Sequence, residues 1–210
     1  MDSIFDFFFK QYSEYETIDI SLEIIAIIFG LLSVWYSKQN KVLVFPTGMI
    51  STVIFVYLLY KWELLGDMMI NAYYFIMSVY GWYIWTRKVD ESDVTPISKT
   101  TFNEKKLSLA IFLATLVFVY LVYHAFGKWT SWVAYVDTLT TGIFFVGMWL
   151  MAKRKVENWL FWIVGDIISV PLYFYKGFTF TSLQYFVFTI IAVYGYLAWK
   201  KNIKESFQTT

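Results

Sequence analysis

The chain has 210 residues, of which 59% are hydrophobic, 23% aromatic and 16% charged, with a net charge of +1 and a mean hydropathy of +0.54. A water-soluble domain is about 45–50% apolar and about 25% charged, so this composition argues against a cytosolic enzyme. The aromatic content excludes disorder, the absence of Cys excludes a disulfide framework and thiol chemistry, and the near-neutral charge argues against nucleic acid as a partner.

Residues 1–19 hold Asp2, Asp6, Glu14, Glu16 and Asp19 against one Lys10. That is the wrong charge for a secretory leader. Phe5 and Phe7–Phe9 beside these acids suit either an interfacial helix or a polar tail. Seven apolar runs follow, near 20–37, 42–60, 65–86, 107–124, 132–151, 156–175 and 180–199. Each is about as long as a bilayer-crossing helix, which takes about 20 residues. Residues 87–106 form a polar linker and 200–210 a polar tail. Alternate connections are rich in Lys and Arg: Lys38 and Lys41, then Arg87 to Lys106, then Lys153-Arg154-Lys155, then Lys200, Lys201 and Lys204. Cytoplasmic loops carry such an excess. The N-terminus is therefore expected outside and the C-terminus in the cytoplasm.

The two halves repeat. Tyr80-Gly81-Trp82-Tyr83-Ile84-Trp85-Thr86-Arg87 resembles Tyr194-Gly195-Tyr196-Leu197-Ala198-Trp199-Lys200-Lys201, and the same offset of 114 carries Trp35 to Trp149. Between them, Phe45-Pro46-Thr47-Gly48 is set against Trp162-Ile163-Val164-Gly165 at an offset of 117. The expected fold is an all-α integral membrane protein of seven helices in a 3+1+3 arrangement. Residues 20–86 and 132–199 are the repeats, and the helix at 107–124 lies between them. Three crossings invert a unit and a fourth restores it, so the repeats should be parallel, about a pseudo-twofold axis along the membrane normal. Transporters built this way hold substrate between the repeats.

An ionisable group inside a membrane helix is costly and faces a cavity or a partner. Asp166 sits mid-span, and Trp159, Trp162 and Asp166 at i, i+3 and i+7 share one helix face, extended by Tyr173. A carboxylate beside indole rings suits a flat cation, through ring contact and counter-charge. The third span offers Asp67, Asn71, Tyr74 and Ser78 on one stripe. The fifth offers Asp137, Thr141, Phe144 and Met148, and the seventh Thr181, Gln184 and Phe188. Asn71, Asp137 and Gln184 lie at similar depth, with Asp166 slightly deeper. Pro46 and Pro171 read as kinks, Lys153-Arg154-Lys155 as a topology signal, and His124 as an interface residue. Neither a metal-ligand cluster nor a cofactor motif is visible. A retinal-type seven-helix sensor lacks its Lys, since 180–199 contains none. A membrane enzyme lacks a Ser/His pair.

Glu157-Asn158-Trp159-x-x-Trp162-x-x-x-Asp166 resembles the Trp-x-x-Trp-x-x-x-Asn/Asp motif of PnuC-type vitamin transporters. Gln39-Asn40, Phe45-Pro46-Thr47-Gly48-Met49-Ile50-Ser51, Gly66-Asp67, Asn71, Tyr73-Tyr74 and Ser78-Val79-Tyr80-Gly81-Trp82-Tyr83 are similar to that family's second and third helices. The resemblance implies a SWEET-like, homotrimeric facilitator in a bacterial inner membrane. It implies facilitated diffusion of nicotinamide riboside, with thiamine as the alternative within the family, no ion coupling, and trapping by intracellular phosphorylation. Trp159, Trp162 and Asp166 carry over as substrate-binding residues. Asn71 departs from the Gln expected in the third helix. With Asn71, Tyr74, Asp137, Thr141, Tyr173 and Gln184 they form the expected site for a small cationic vitamin.

Overall fold

The computed structural model describes residues 16–62, 65–87, 95–127, 129–176 and 179–208. Residues 1–15, read as part of an interfacial helix or a polar tail, and residues 88–94 of the linker lie outside them. Among the described residues seven helices follow one another: α1 (Thr17–Lys38), α2 (Val44–Lys61), α3 (Leu65–Thr86), α4 (Phe102–Ala125), α5 (Trp132–Ala152), α6 (Asn158–Tyr175) and α7 (Thr179–Gln208). Among the described residues, α1, α2, α4, α5 and α7 are long and apolar enough to cross a membrane. α3 and α6 carry the polar stripes with Asp67, Asn71 and Asp166.

Two boundaries differ from expectation. α4 begins at Phe102 because Thr101 caps it: the Thr101 hydroxyl accepts from the Glu104 amide at 3.3 Å, and the Glu104 carboxylate accepts the Thr101 amide at 2.9 Å. This capping box satisfies two otherwise unpaired donors. α7 runs through the segment expected to be a polar tail, since neither Gly nor Pro follows Gly195 within it. Pro46, expected to kink its helix, is the third residue of α2. A missing N–H costs nothing there, because the first four amides of a helix have no partner within it. Pro171 does lie inside α6.

Consecutive helices pack on one another, and α1 also packs on α7 and α3 on α5. The offset of 117 for the second helix is corrected. α2 and α6 are both 18 residues long and start at Val44 and Asn158, so the register of 114 continues through them. Phe45 therefore corresponds to Trp159, and Gly48 to Trp162. The match of Gly48 with Gly165 falls outside this register.

Equivalent positions exchange equivalent contacts. Trp85 donates its indole N–H to the Met151 carbonyl at 3.2 Å, and Trp199 donates to the Ser37 carbonyl at 3.0 Å. Phe45 meets Trp85 edge-on at 5.0 Å, and Trp159 meets Trp199 edge-on at 5.5 Å. Gly81 gives way to the Phe45 ring, and Gly195 to the Trp159 ring, where a Cβ would stand 2.6 Å away. Such reciprocity is what an isologous pair of units produces. These residues, with Val44, Met148, Met151 and Val156, form the principal apolar core.

Asn40 and Arg154, one repeat apart, both have positive φ, at 58° and 59°. They also touch: Arg154 Nε donates to Asn40 Oδ1 at 2.8 Å. Arg154 is 8% exposed, its guanidinium lies 4.4 Å from the Trp85 ring centre, and it donates to the Thr95 carbonyl. Burial lowers its pKa to about 10, so it stays charged at neutral pH. It joins both halves and the linker, a role beyond the topology signal expected of it. The linker is further strapped down. Ser98 pairs with the 154–156 backbone at 3.1 and 3.0 Å, and Glu157 accepts from the amide and hydroxyl of Thr100 at 2.9 and 2.6 Å.

Candidate functional site

Buried residues of α6 recur at Trp159, Asp166, Ser169 and Leu172. That spacing turns the polar stripe toward α5 and α7. Asp166 is 2% exposed. Trp162 stands one turn before it on the same helix, and Gly165, the residue beside it, lies against the Phe144 ring of α5.

Aromatic rings surround it. Trp162 lies 6.2 Å from Tyr74 and stacks on Phe144 at 5.5 Å. Phe144 stacks on Tyr185 at 5.9 Å with the planes 9° apart, and Tyr185 meets Tyr173 at 5.0 Å. Tyr73 fixes α3 against α5: its ring lies 3.8 Å above Phe145, and its hydroxyl donates to the Phe145 carbonyl at 3.1 Å. Four helices thus supply rings around one carboxylate. Such a set can hold a planar cation by ring contact and counter-charge.

Of the nine expected residues, Tyr74, Trp162, Asp166 and Tyr173 are brought together. The other five are placed differently. Trp159 is 1% exposed, inside the apolar core, as the counterpart of Phe45. Asp137 is held by Lys176, whose Nζ lies 2.7 Å from each of its carboxylate oxygens. The hydroxyl of Thr141 donates back to the Asp137 carbonyl at 2.7 Å, and the amide of Asn71 to the Asp67 carbonyl at 3.0 Å. Gln184 points toward α1, its amide nitrogen 3.9 Å from where a Cβ on Gly30 would stand. The sequence reading passed over Tyr185 and gave Phe144 only as a face residue. Only the packing picks out Tyr185: Ser182, Ala192 and Trp199 are buried on the same stripe of α7, so the packed face passes through position 185 and not 184.

The arrangement can be compared with known proteins. A family model described as nicotinamide mononucleotide transporter matches residues 20–201. The chain belongs to this family. A nicotinamide riboside transporter PnuC of Escherichia coli is 25% identical over 211 residues, covering 88% of this chain and 87% of that one. The PnuC of Haemophilus influenzae is 28% identical, covering 91% and 84%. A riboflavin/roseoflavin transporter, RibM, of Streptomyces davaonensis is 25% identical, covering 82% and 81%. A solved structure described as the Vitamin B3 transporter PnuC superposes with a TM-score of 0.69 at 24% identity, covering 97% of this chain and 91% of that one. The family is one of multi-pass membrane transporters, and the fold is shared with that structure.

Proposed function

We propose that this family member carries nicotinamide riboside across the bacterial inner membrane by facilitated diffusion. One observation carries the choice: Asp166 is a carboxylate only 2% exposed, one turn from Trp162 and next to the glycine that packs on Phe144. A buried ion is costly unless a counter-ion compensates it. A pyridinium ring provides the missing charge and a flat surface together. Tyr74, Trp162, Tyr173 and Asp166 are the binding residues of this proposal, with Phe144 and Tyr185 added. Trp159 supports Trp162 from the core one turn away.

Thiamine, also a planar cation, is the second reading, because the same charge argument admits it. Riboflavin is named for a relative of equal identity, but its neutral ring leaves Asp166 uncompensated. In keeping with the distribution of Lys and Arg, the α2–α3 and α6–α7 turns face outward and the Arg154 junction faces the cytoplasm. A homotrimer and trapping by intracellular phosphorylation belong to the same proposal.

The test is uptake of labelled nicotinamide riboside into proteoliposomes containing no kinase. Uptake is expected to equilibrate at zero membrane potential without a proton or sodium gradient, and to be lost in Asp166→Asn. A requirement for either ion gradient, or undiminished uptake by Asp166→Asn, overturns it.

A further inference from the structure

Lys176 caps the C-terminus of α6 and is clamped there. Both of its contacts to Asp137 measure 2.7 Å. Tyr173 offers its ring face to the ammonium, 4.8 Å from the ring centre. One cation is therefore held by a carboxylate, through both of its oxygens, and a π face. This is the chemistry of a site for an organic cation, already filled by a side chain.

The group also adjoins the Asp166 cradle. Tyr173 meets Tyr185, Tyr185 stacks on Phe144, and Phe144 stacks on Trp162. A cation leaving Asp137 for Asp166 passes along a continuous row of rings. Lys176 sits on a flexible four-carbon stem, so it can leave without moving a helix.

We propose that Asp137 and Tyr173 form an outer binding site for a planar cation in transit, filled by the Lys176 ammonium when empty, and that the permeant enters by exchanging with it. The inference rests on the transport proposal for the identity of the permeant alone. Withdrawal of Lys176 by itself would leave the Asp137 carboxylate, 14% exposed, without its counter-ion, which is costly. An arriving cation removes that cost as it binds, so opening is coupled to arrival. A neutral molecule cannot do this, and the outer site thereby selects for charge before the inner site does.

The test uses the full chain in detergent with N-methylpyridinium as probe and neutral nicotinamide as control. The chain has no Cys, so Lys176→Cys carries a unique thiol. The probe is expected to slow its modification by a cationic methanethiosulfonate reagent about tenfold, the scale of one charge-assisted contact. Nicotinamide is expected to give no protection, and Asp137→Asn in the same background to abolish it. In titrations, Lys176→Gln is expected to bind the probe at the outer site about tenfold more tightly than the native chain, where the tethered ammonium competes, and Lys176→Arg no more tightly than the native chain. Modification indifferent to the probe, or equal affinity in Lys176→Gln and the native chain, overturns the proposal. If only the transport proposal fails, the native chain does not bind nicotinamide riboside, yet the probe still protects the thiol of Lys176→Cys.

Discussion

Gly165→Ala tests whether Phe144 is a wall of the site. Gly165 precedes Asp166 and lies against the Phe144 ring, where an added Cβ would clash with one ring carbon and stand 2.8 and 2.9 Å from the two beside it. Carbon atoms pack at about 3.5–4.0 Å, so the ring has to retreat by more than about 1 Å. It is stacked against Trp162 and Tyr185, and its retreat displaces both. Overpacking costs about 1–3 kcal/mol, and relief of the helix-interior glycine returns about 0.5–1 kcal/mol, so a net loss of about 1 kcal/mol in stability is expected. Loss of one aromatic stack, about 0.5–1.5 kcal/mol, weakens ligand binding up to about tenfold. Gly147→Ala is the control. Its Cβ would meet Phe161 at 3.3 Å and Trp162 at 3.4 Å, which needs a shift of only tenths of an ångström, so stability should hold or rise. Calorimetric titration with nicotinamide riboside and thermal unfolding in detergent read both quantities. Unchanged affinity together with raised stability in Gly165→Ala would refute the placement of Phe144.

Four further outcomes follow from the same geometry. Trp85→Phe and Trp199→Phe each remove one buried hydrogen bond, to Met151 and to Ser37. Each should lower stability by about 1–2 kcal/mol, and a large inequality in denaturant titrations would contradict their equivalence. Arg154→Lys keeps the charge but loses the planar fork that reaches Asn40 and Thr95. Limited trypsinolysis should then cut faster at Lys99, and unchanged protection there would show that Arg154 does not hold the linker. An inside-negative potential of about 100 mV should concentrate a singly charged permeant about 50-fold in liposomes, since moving one charge through it is worth about 2.3 kcal/mol; no response to potential means a neutral species crosses. Glu104 accepts from the Thr101 amide at 2.9 Å and lies 3.1 Å from the Lys155 ammonium, so Glu104→Ala removes both the capping box and the tie to Lys155. Linker proteolysis should rise in this variant, and an unchanged rate would exclude this contribution.

The amino-acid order alone determined the class, the number of helices and their places in the chain. These rest on run length and on the 114-residue periodicity, which are properties of consecutive residues. It also singled out Asp166, because one acid in an apolar span stands out without coordinates. It could not say which of two neighbouring indoles lines the site. Trp159 and Trp162 share a helix face, and only the contact with Trp199 and Gly195 turns the first into core. Gln184 and Tyr185 differ by one position, about 100° around a helix, and only the packing of α7 on α6 selects the tyrosine. The partner of Asp137 stands 39 residues away in the chain, and no local pattern records it. Tertiary structure decided these points because a side chain's role is set by what faces it across a helix interface. Periodicity fixes only the direction in which it leaves its own helix.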